Sequence, residues 1–266
     1  MTILNKIIEN KKKELSLLKG LTSVRDLENS KLFHREPISL SAFISDRSKT
    51  GIIAEFKRKS PSKGIINSSS SVAEVTSGYF KEGASGISVL TDTQFFGGST
   101  TDLFLIRGNS IFPILRKDFI IDEYQVIESK SVGADAILLI ASVLGNHEIL
   151  TLSHLARSLG MEVILEIHKH EDLIKVNKFI NIIGVNNRDL KTFEVNIAVS
   201  EKIIEKIPDG FLKISESGIS SPDVIKKLRL SGFDGFLIGE KFMNSSDPVK
   251  AFAEFVRDLN LSNDQS

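Results

Sequence analysis

The chain has 266 residues, with 34 Lys and Arg against 34 Asp and Glu, so its formal net charge is zero. Hydrophobic residues make up 41% and charged residues 26%; these are the proportions of a folded globular protein, not a disordered one, and the balance excludes the basic domain that grips nucleic acid by bulk electrostatics. Cysteine is absent, which excludes disulfides, thiolate metal sites, iron–sulfur clusters and a Cys nucleophile and agrees with a cytoplasmic location.

Residues 1–48 read as a helical extension. Ile3, Leu4, Ile7 and Ile8 fall at helical spacing and are followed by Lys11, Lys12 and Lys13, the reverse of the charge-then-apolar order of a secretory signal. Ile7, Ile8, Leu15 and Leu18 form one apolar stripe, and Val24, Leu27 and Leu32 suggest a second helix. Such a stripe needs a partner, so the extension is expected to pack over one mouth or flank of the larger C-terminal region. From Ile52 onward, short apolar runs alternate with longer amphipathic segments. The runs are Ile52–Phe56, Gly86–Leu90, Ile114–Leu115, Ala136–Ile140, Val163–Leu165, Ile182–Val185, Leu212–Ile214 and Gly235–Ile238. Their unbroken apolar character implies parallel strands buried on both faces, and none is long enough to cross a bilayer. Helical patterns between them include Val72-Val75-Tyr79, Tyr124-Val126-Ile127, Leu150-Leu152-Leu155-Leu159, Ile203-Ile204-Ile207 and Val224-Ile225-Leu228.

Eight units between Ile52 and Asn260 give about 26 residues each, the spacing of a (β/α)8 TIM barrel of roughly 250 residues. A doubly wound open sheet is the rival, but no G-x-G-x-x-G turn follows the first strand and no P-loop is present. The expected fold is therefore α/β: a single domain with the extension at 1–48, the barrel at 49–261 and a frayed tail at 262–266. The connection Arg58–Ser71, with its Ser68–Ser71 patch, exceeds the usual length and marks a functional loop.

Several strands end in charged or amide residues, although burying an unpartnered ionisable group costs several kcal/mol. Strand one ends Glu55-Phe56-Lys57, strand three Lys117-Asp118, strand five Glu166, strand six Asn186-Asn187-Arg188 and strand seven Glu216-Ser217-Gly218. Period-two alternation puts Glu55 with Lys57 on one face and Asn186 with Arg188 on another. If these faces point inward, the groups meet at the C-terminal mouth, where barrel enzymes keep their active sites. Gly218 and Gly239 follow strands seven and eight, whose loops often hold phosphate in this fold. Other features carry less. His168-Lys169-His170 lacks metal-ligand spacing and reads as a polar loop. Phe95-Phe96-Gly97-Gly98-Ser99 has no phosphate-loop pattern. Arg116, opposite in phase to Lys117, is expected to pair with an acid outside the barrel, and the 17 Phe are read as core.

The segment Ile53-Ala54-Glu55-Phe56-Lys57-Arg58-Lys59-Ser60-Pro61-Ser62-Lys63-Gly64 resembles the first-strand signature of the indole-3-glycerol-phosphate synthase family of tryptophan biosynthesis. The resemblance continues through Leu115-Arg116-Lys117-Asp118-Phe119, Gly184-Val185-Asn186-Asn187-Arg188-Asp189-Leu190, Ser215-Glu216-Ser217-Gly218-Ile219 and Gly235-Phe236-Leu237-Ile238-Gly239. It departs from the family pattern at Phe56, usually aliphatic, and at Gly97, commonly polar. It implies a carboxy-lyase that converts 1-(2-carboxyphenylamino)-1-deoxyribulose 5-phosphate to indole-3-glycerol phosphate, releasing carbon dioxide and water. It also implies Lys117 as the acid for ring closure, Lys57 and Glu166 as the second acid and the base, and Glu55 as a proton relay or partner; the sequence leaves open which lysine serves which step. Asn186, Arg188 and Glu216 would orient the substrate, with Ser60 assisting. Ser217, Gly218 and Gly239 would hold the phosphate, and Leu237 would contact substrate. No cofactor or metal is implied, because the substrate's ring takes up the electrons; the partner is a phosphorylated small molecule, with no nucleic acid or membrane. Association with other tryptophan-pathway enzymes is left open. The residues alone also admit a Schiff-base aldolase using Lys117, a sugar-phosphate isomerase, or a barrel kept for interaction without turnover.

Overall fold

A computed structural model of the chain describes residues 2–108, 110–189 and 192–261; the expected tail, 262–266, lies outside the described residues. Eight parallel strands close into a barrel: β1 Ile52–Phe56, β2 Gly86–Leu90, β3 Ile114–Lys117, β4 Ala136–Ile140, β5 Glu162–Ile167, β6 Ile182–Asn186, β7 Leu212–Glu216 and β8 Gly235–Ile238. β8 pairs back onto β1, with Ile53 opposite Leu237. The period-two alternation builds two cores. Ile53, Leu115, Leu138, Ile164, Ile182, Ile214 and Leu237 fill the interior. Ile52, Ala54, Phe56, Val89, Leu139, Leu165 and Phe236 face the surrounding helices. Phe56 is thus an outer-face residue, and the Arg58 guanidinium lies 4.8 Å from its ring centroid. Polar residues continue the ladder at the strand tips: Lys117 pairs with Leu90, Glu166 with Ile140 and Asn186 with Glu216.

The extension reaches both ends of the barrel. Helix α1, Ile3–Leu21, is capped by the Thr2 hydroxyl and lies at the C-terminal mouth, on the β2–β3 side. Its buried face is Ile7, Lys11 and Leu15; Ile8 is half-buried and Leu18 exposed, so the expected stripe is shifted. Lys19 Nζ lies 2.7 Å from Asp122 Oδ2 beyond β3. Helix α2, Val24–Glu28, starts with a capping box between Ser23 and Asp26 and packs on the helix Glu123–Ser131. The chain then runs down the flank, where Arg35 and the Ile38 N–H are held by Asp135. Helix α3, Leu40–Ser45, closes the floor. Leu40 and Ile44 join the interior core, and a Cβ added at Gly86 would come within 2.5 Å of Leu40. Glu162, at the start of β5, accepts hydrogen bonds from Ser39 Oγ (2.7 Å) and Ser41 N (2.8 Å).

This division separates two truncations. Removing residues 1–22 should lower kcat/KM while the barrel stays folded. Removing residues 1–45 takes Leu40 and Ile44 from the core, each worth roughly 1.5–3 kcal/mol of burial, and should lower the melting temperature much further. Thermal melting and substrate titration of both proteins check this; equal losses from the two deletions would contradict it.

Candidate active site

All twelve residues singled out in the sequence line one cavity of about 420 Å³ at the C-terminal mouth. From β1, Lys57 Nζ lies 2.8 Å from Glu55 Oε1. From β3, Lys117 Nζ stands 3.6 Å from Glu166 Oε2 of β5 and 3.9 Å from Glu216 Oε2 of β7. These groups come from strands far apart in sequence and meet because each occupies the inward phase at its strand's tip. Arg116, in the opposite phase, pairs outside the barrel with Glu128 at 2.8 Å and with Asp118 at 3.2 Å.

The charges divide unequally. Burial works against the Lys117 ammonium, but Glu166, Glu216 and Glu55 outweigh it and hold its pKa above the ordinary lysine value. Burial also opposes the Glu166 carboxylate; Lys117, His168 and Asn186 outweigh it and keep Glu166 below its ordinary value. Glu216 goes the other way. Burial and the nearby Glu166 and Glu55 raise it well above the carboxylate range, and Lys117 only partly offsets them. Two like charges this close cannot both ionise freely, so the pair keeps a proton, favouring Glu216, while Glu166 is the carboxylate. His168 is more than a polar loop residue: its Nε2 lies 3.5 Å from Glu166 Oε1 and its side chain is only 15% exposed, whereas His170 is exposed. Among the described residues no group of three or more His, Asp or Glu is arranged to hold a metal ion.

Glycines make room for these acids. A Cβ at Gly184 of β6 would lie 2.3 Å from Glu216 Oε1, and one at Gly239 2.6 Å from Glu55 Oε1. The sequence places Gly239 at a phosphate-holding turn; in the structure the space beside its Cα is taken by the Glu55 side chain. After β7 the backbone turns through left-handed Ser217 (φ 67°) and Gly218 (φ 78°), a conformation costly for serine. Asn187 holds that turn: its Nδ2 donates to Ser215 Oγ at 2.9 Å and to the Glu216 and Ser217 carbonyls at 3.0 and 3.1 Å. Arg188 is less free than expected. Its Nη2 lies 3.3 Å from Glu240 Oε2, and Lys63 Nζ lies 2.6 Å from Glu240 Oε1. Ser60, in a short hairpin of Lys59–Ser60 with Gly64–Ile65, sits 3.4 Å from the Ser62 hydroxyl.

The sequence reading missed the apolar wall. Phe96, Phe119, Leu138 and Ile140 line the cavity, and the rings of Phe96 and Phe119 are 6.0 Å apart. The signal was present in the alternation of Leu138 with Ile140 and in Phe119, two residues beyond Lys117. Phe193, at φ 61°, also lines the cavity.

The family model for indole-3-glycerol phosphate synthase matches residues 4–255. An indole-3-glycerol phosphate synthase of Bacteroides thetaiotaomicron is 45% identical over 258 residues, covering 96% of this chain and 98% of the relative. That of Aliarcobacter butzleri is 42% identical over 262 residues, covering 97% and 100%. Among solved structures, the tryptophan synthase α subunit of Legionella pneumophila superposes with a TM-score of 0.62 at 14% identity, covering 85% of this chain and 97% of that one. The 3-hexulose-6-phosphate synthase of Salmonella typhimurium gives 0.62 at 12% identity, covering 79% and 98%. At such identities the likeness is one of barrel fold alone.

Proposed function

The chain belongs to the indole-3-glycerol phosphate synthase family, carboxy-lyases of tryptophan biosynthesis, and we propose that the mouth of its barrel divides that reaction among the residues lining the cavity. The substrate, 1-(2-carboxyphenylamino)-1-deoxyribulose 5-phosphate, must form a bond between its carboxylate-bearing aryl carbon and the ketone carbon. Lys117 protonates the ketone oxygen as that bond forms. Carbon dioxide then leaves the aryl carbon. In the final dehydration Lys57, beside Glu55, delivers a proton to the departing hydroxyl while Glu166 removes the ring proton. Asn186, Arg188 and Glu216 orient the substrate, Ser60 assists from the first loop, and Leu237 contacts it. The aryl ring lies against Phe96, Phe119, Leu138 and Ile140. The phosphate sits at the turns of Ser217, Gly218 and Gly239. On this reading the partner is a phosphorylated small molecule and the compartment the cytoplasm, with association among tryptophan-pathway enzymes to be examined by co-purification.

The observation that carries this reading is the placing of Lys117 between Glu166 and Glu216. An ammonium held there stays charged and suits a general acid; a Schiff-base lysine must be deprotonated. The test is incubation with the carboxyphenylamino substrate and no added cofactor. Indole fluorescence should appear, and borohydride should trap no covalent adduct. Absence of indole product would overturn the reading.

Gly239→Val should raise KM steeply and lower kcat as well. Its side chain would crowd the phosphate turn and also push Glu55 away from Lys57. Steady-state kinetics with a structure soaked in sulfate check both parts; an anion bound away from Gly218 and Gly239 would refute the placement.

A further inference from the structure

Lys11 has no part in the chemistry assigned to the cavity, yet it is the most unusual residue of α1. Lys12 and Lys13 are exposed, as a run of lysines on a surface helix should be, while the Lys11 side chain is only 6% exposed. Burying an ammonium is costly unless it is paired, and Lys11 has three acids: Glu14 Oε2 at 2.8 Å on its own helix, Asp118 Oδ1 at 3.0 Å and Asp92 Oδ2 at 3.1 Å. The last two belong to the barrel, just beyond β3 and β2, and both line the cavity.

Each aspartate organises a turn. Asp92 Oδ1 accepts the Phe95 N–H at 2.8 Å and caps the short helix Thr93–Phe96. Asp118 Oδ1 accepts the Phe119 N–H at 2.8 Å, and its Oδ2 accepts Thr91 Oγ1 at 2.6 Å and Arg116 Nη2 at 3.2 Å. Lys117 directly precedes Asp118. Without Lys11, Asp92 and Asp118 would face each other as buried like charges with one counter-charge fewer, and the turns they hold would separate or take up water. A lysine that only docked the helix would not need to bridge two active-site turns, because Ile7 and Leu15 already supply apolar contact.

We propose that Lys11 is a positioning residue for the reaction, its buried ammonium tying Asp92 to Asp118 and so fixing the turns that carry Phe96, Phe119 and Lys117. The proposal rests on the functional reading of the cavity as a synthase site. It gives the extension a specific part in catalysis: one charge of α1 completes the geometry of the aryl wall and of the acid next to it.

The test compares Lys11→Met, Lys11→Arg and Leu15→Ala, each assayed well below its own melting temperature. Lys11→Met should lower kcat at least tenfold, and Lys11→Arg should recover most of that loss by keeping the charge. Leu15→Ala loosens the same helix without touching the charges; it should lower the melting temperature but keep kcat within about threefold of wild type. A Lys11→Met protein with wild-type kcat overturns the proposal. So does a Leu15→Ala protein that loses as much kcat, since helix docking alone would then explain the effect. Should Lys11→Met not fold, Asp92→Asn carries the expectation, because it keeps the Phe95 cap and removes one charge facing Lys11; wild-type kcat in that variant overturns the proposal equally. The unsubstituted protein is assayed first. If it makes no indole product, the functional reading fails and the proposal with it; if it does and Lys11→Met is unaffected, only the proposal fails.

Discussion

Lys117→Ala should lower kcat by about 100- to 10,000-fold, the range of a positioned general acid, with KM changed far less. The ammonium contributes most when negative charge develops on the ketone oxygen, so its loss falls on the transition state more than on substrate binding. Because its pKa is raised above the usual value of about 10.4, the wild-type alkaline limb, where Lys117 sets it, should lie above that value. The substitution also leaves a second mark. With the ammonium gone, Glu166, Glu216 and Glu55 face one another without it, and the first two should bind protons more tightly when folded than when unfolded. A raised folded pKa contributes stability that is present below the unfolded value and lost as pH rises through the folded one. The variant's melting temperature should therefore fall further below wild type at pH 8 than at pH 5. Near wild-type kcat would remove Lys117 from the chemistry. A rise in KM with kcat intact would make it a binding residue.

The barrel was legible in the chain because its strands are buried on both faces, so each appears as an unbroken apolar run. The runs stopped short where polar residues extend the ladder. Lys117, Asn186 and Glu216 lie past the apolar runs, and their reading as strand ends agrees with the structure, where each is a paired strand residue; a lone charge in such a place is usually solvated, and only its recurrence at several strand ends makes it informative. The same period-two rule that set Glu55 with Lys57 also assigned Arg116 to the outer face, where it meets Glu128. Other features depend on residues brought close only by closure of the barrel. Gly184 matters because Glu216 from the next strand fills the space beside it, and Gly239 because Glu55 does. No local pattern carries that information. Lys11 is the clearest case: within the Lys11–Lys13 run it looks like a solvated surface charge, and its burial is matched by two aspartates just beyond β2 and β3, far away in sequence. The spacing of His168 and His170 is likewise a criterion for metal ligands only, and says nothing about a ring placed beside Glu166.

Glu166→Gln should lower kcat by about 100- to 10,000-fold with KM within a few-fold of wild type. The two glutamates at the centre of the cavity are chemically alike but differ in environment. Lys117, His168 and Asn186 keep Glu166 ionised against its burial, while Glu216, buried beside Glu166, is driven toward its protonated form. Only the ionised member can accept a proton at neutral pH. Glutamine at 166 preserves size and hydrogen-bonding shape but has no basic oxygen, so binding should survive and proton removal should not. Glutamine at 216, by contrast, imitates the protonated acid already favoured there, and Glu216→Gln should lose at most about tenfold, within the effect of imperfect positioning. The pair of variants thus separates a base from an orienting residue at positions that composition alone cannot distinguish. Steady-state kinetics across pH 5–9, with dissociation constants for a non-reactive substrate analogue, supply the measurement. If Glu216→Gln proves the more damaging of the two, the proton lies on Glu166 and the roles are exchanged. If Glu166→Gln loses affinity while kcat survives, Glu166 holds substrate and takes no part in the proton transfer.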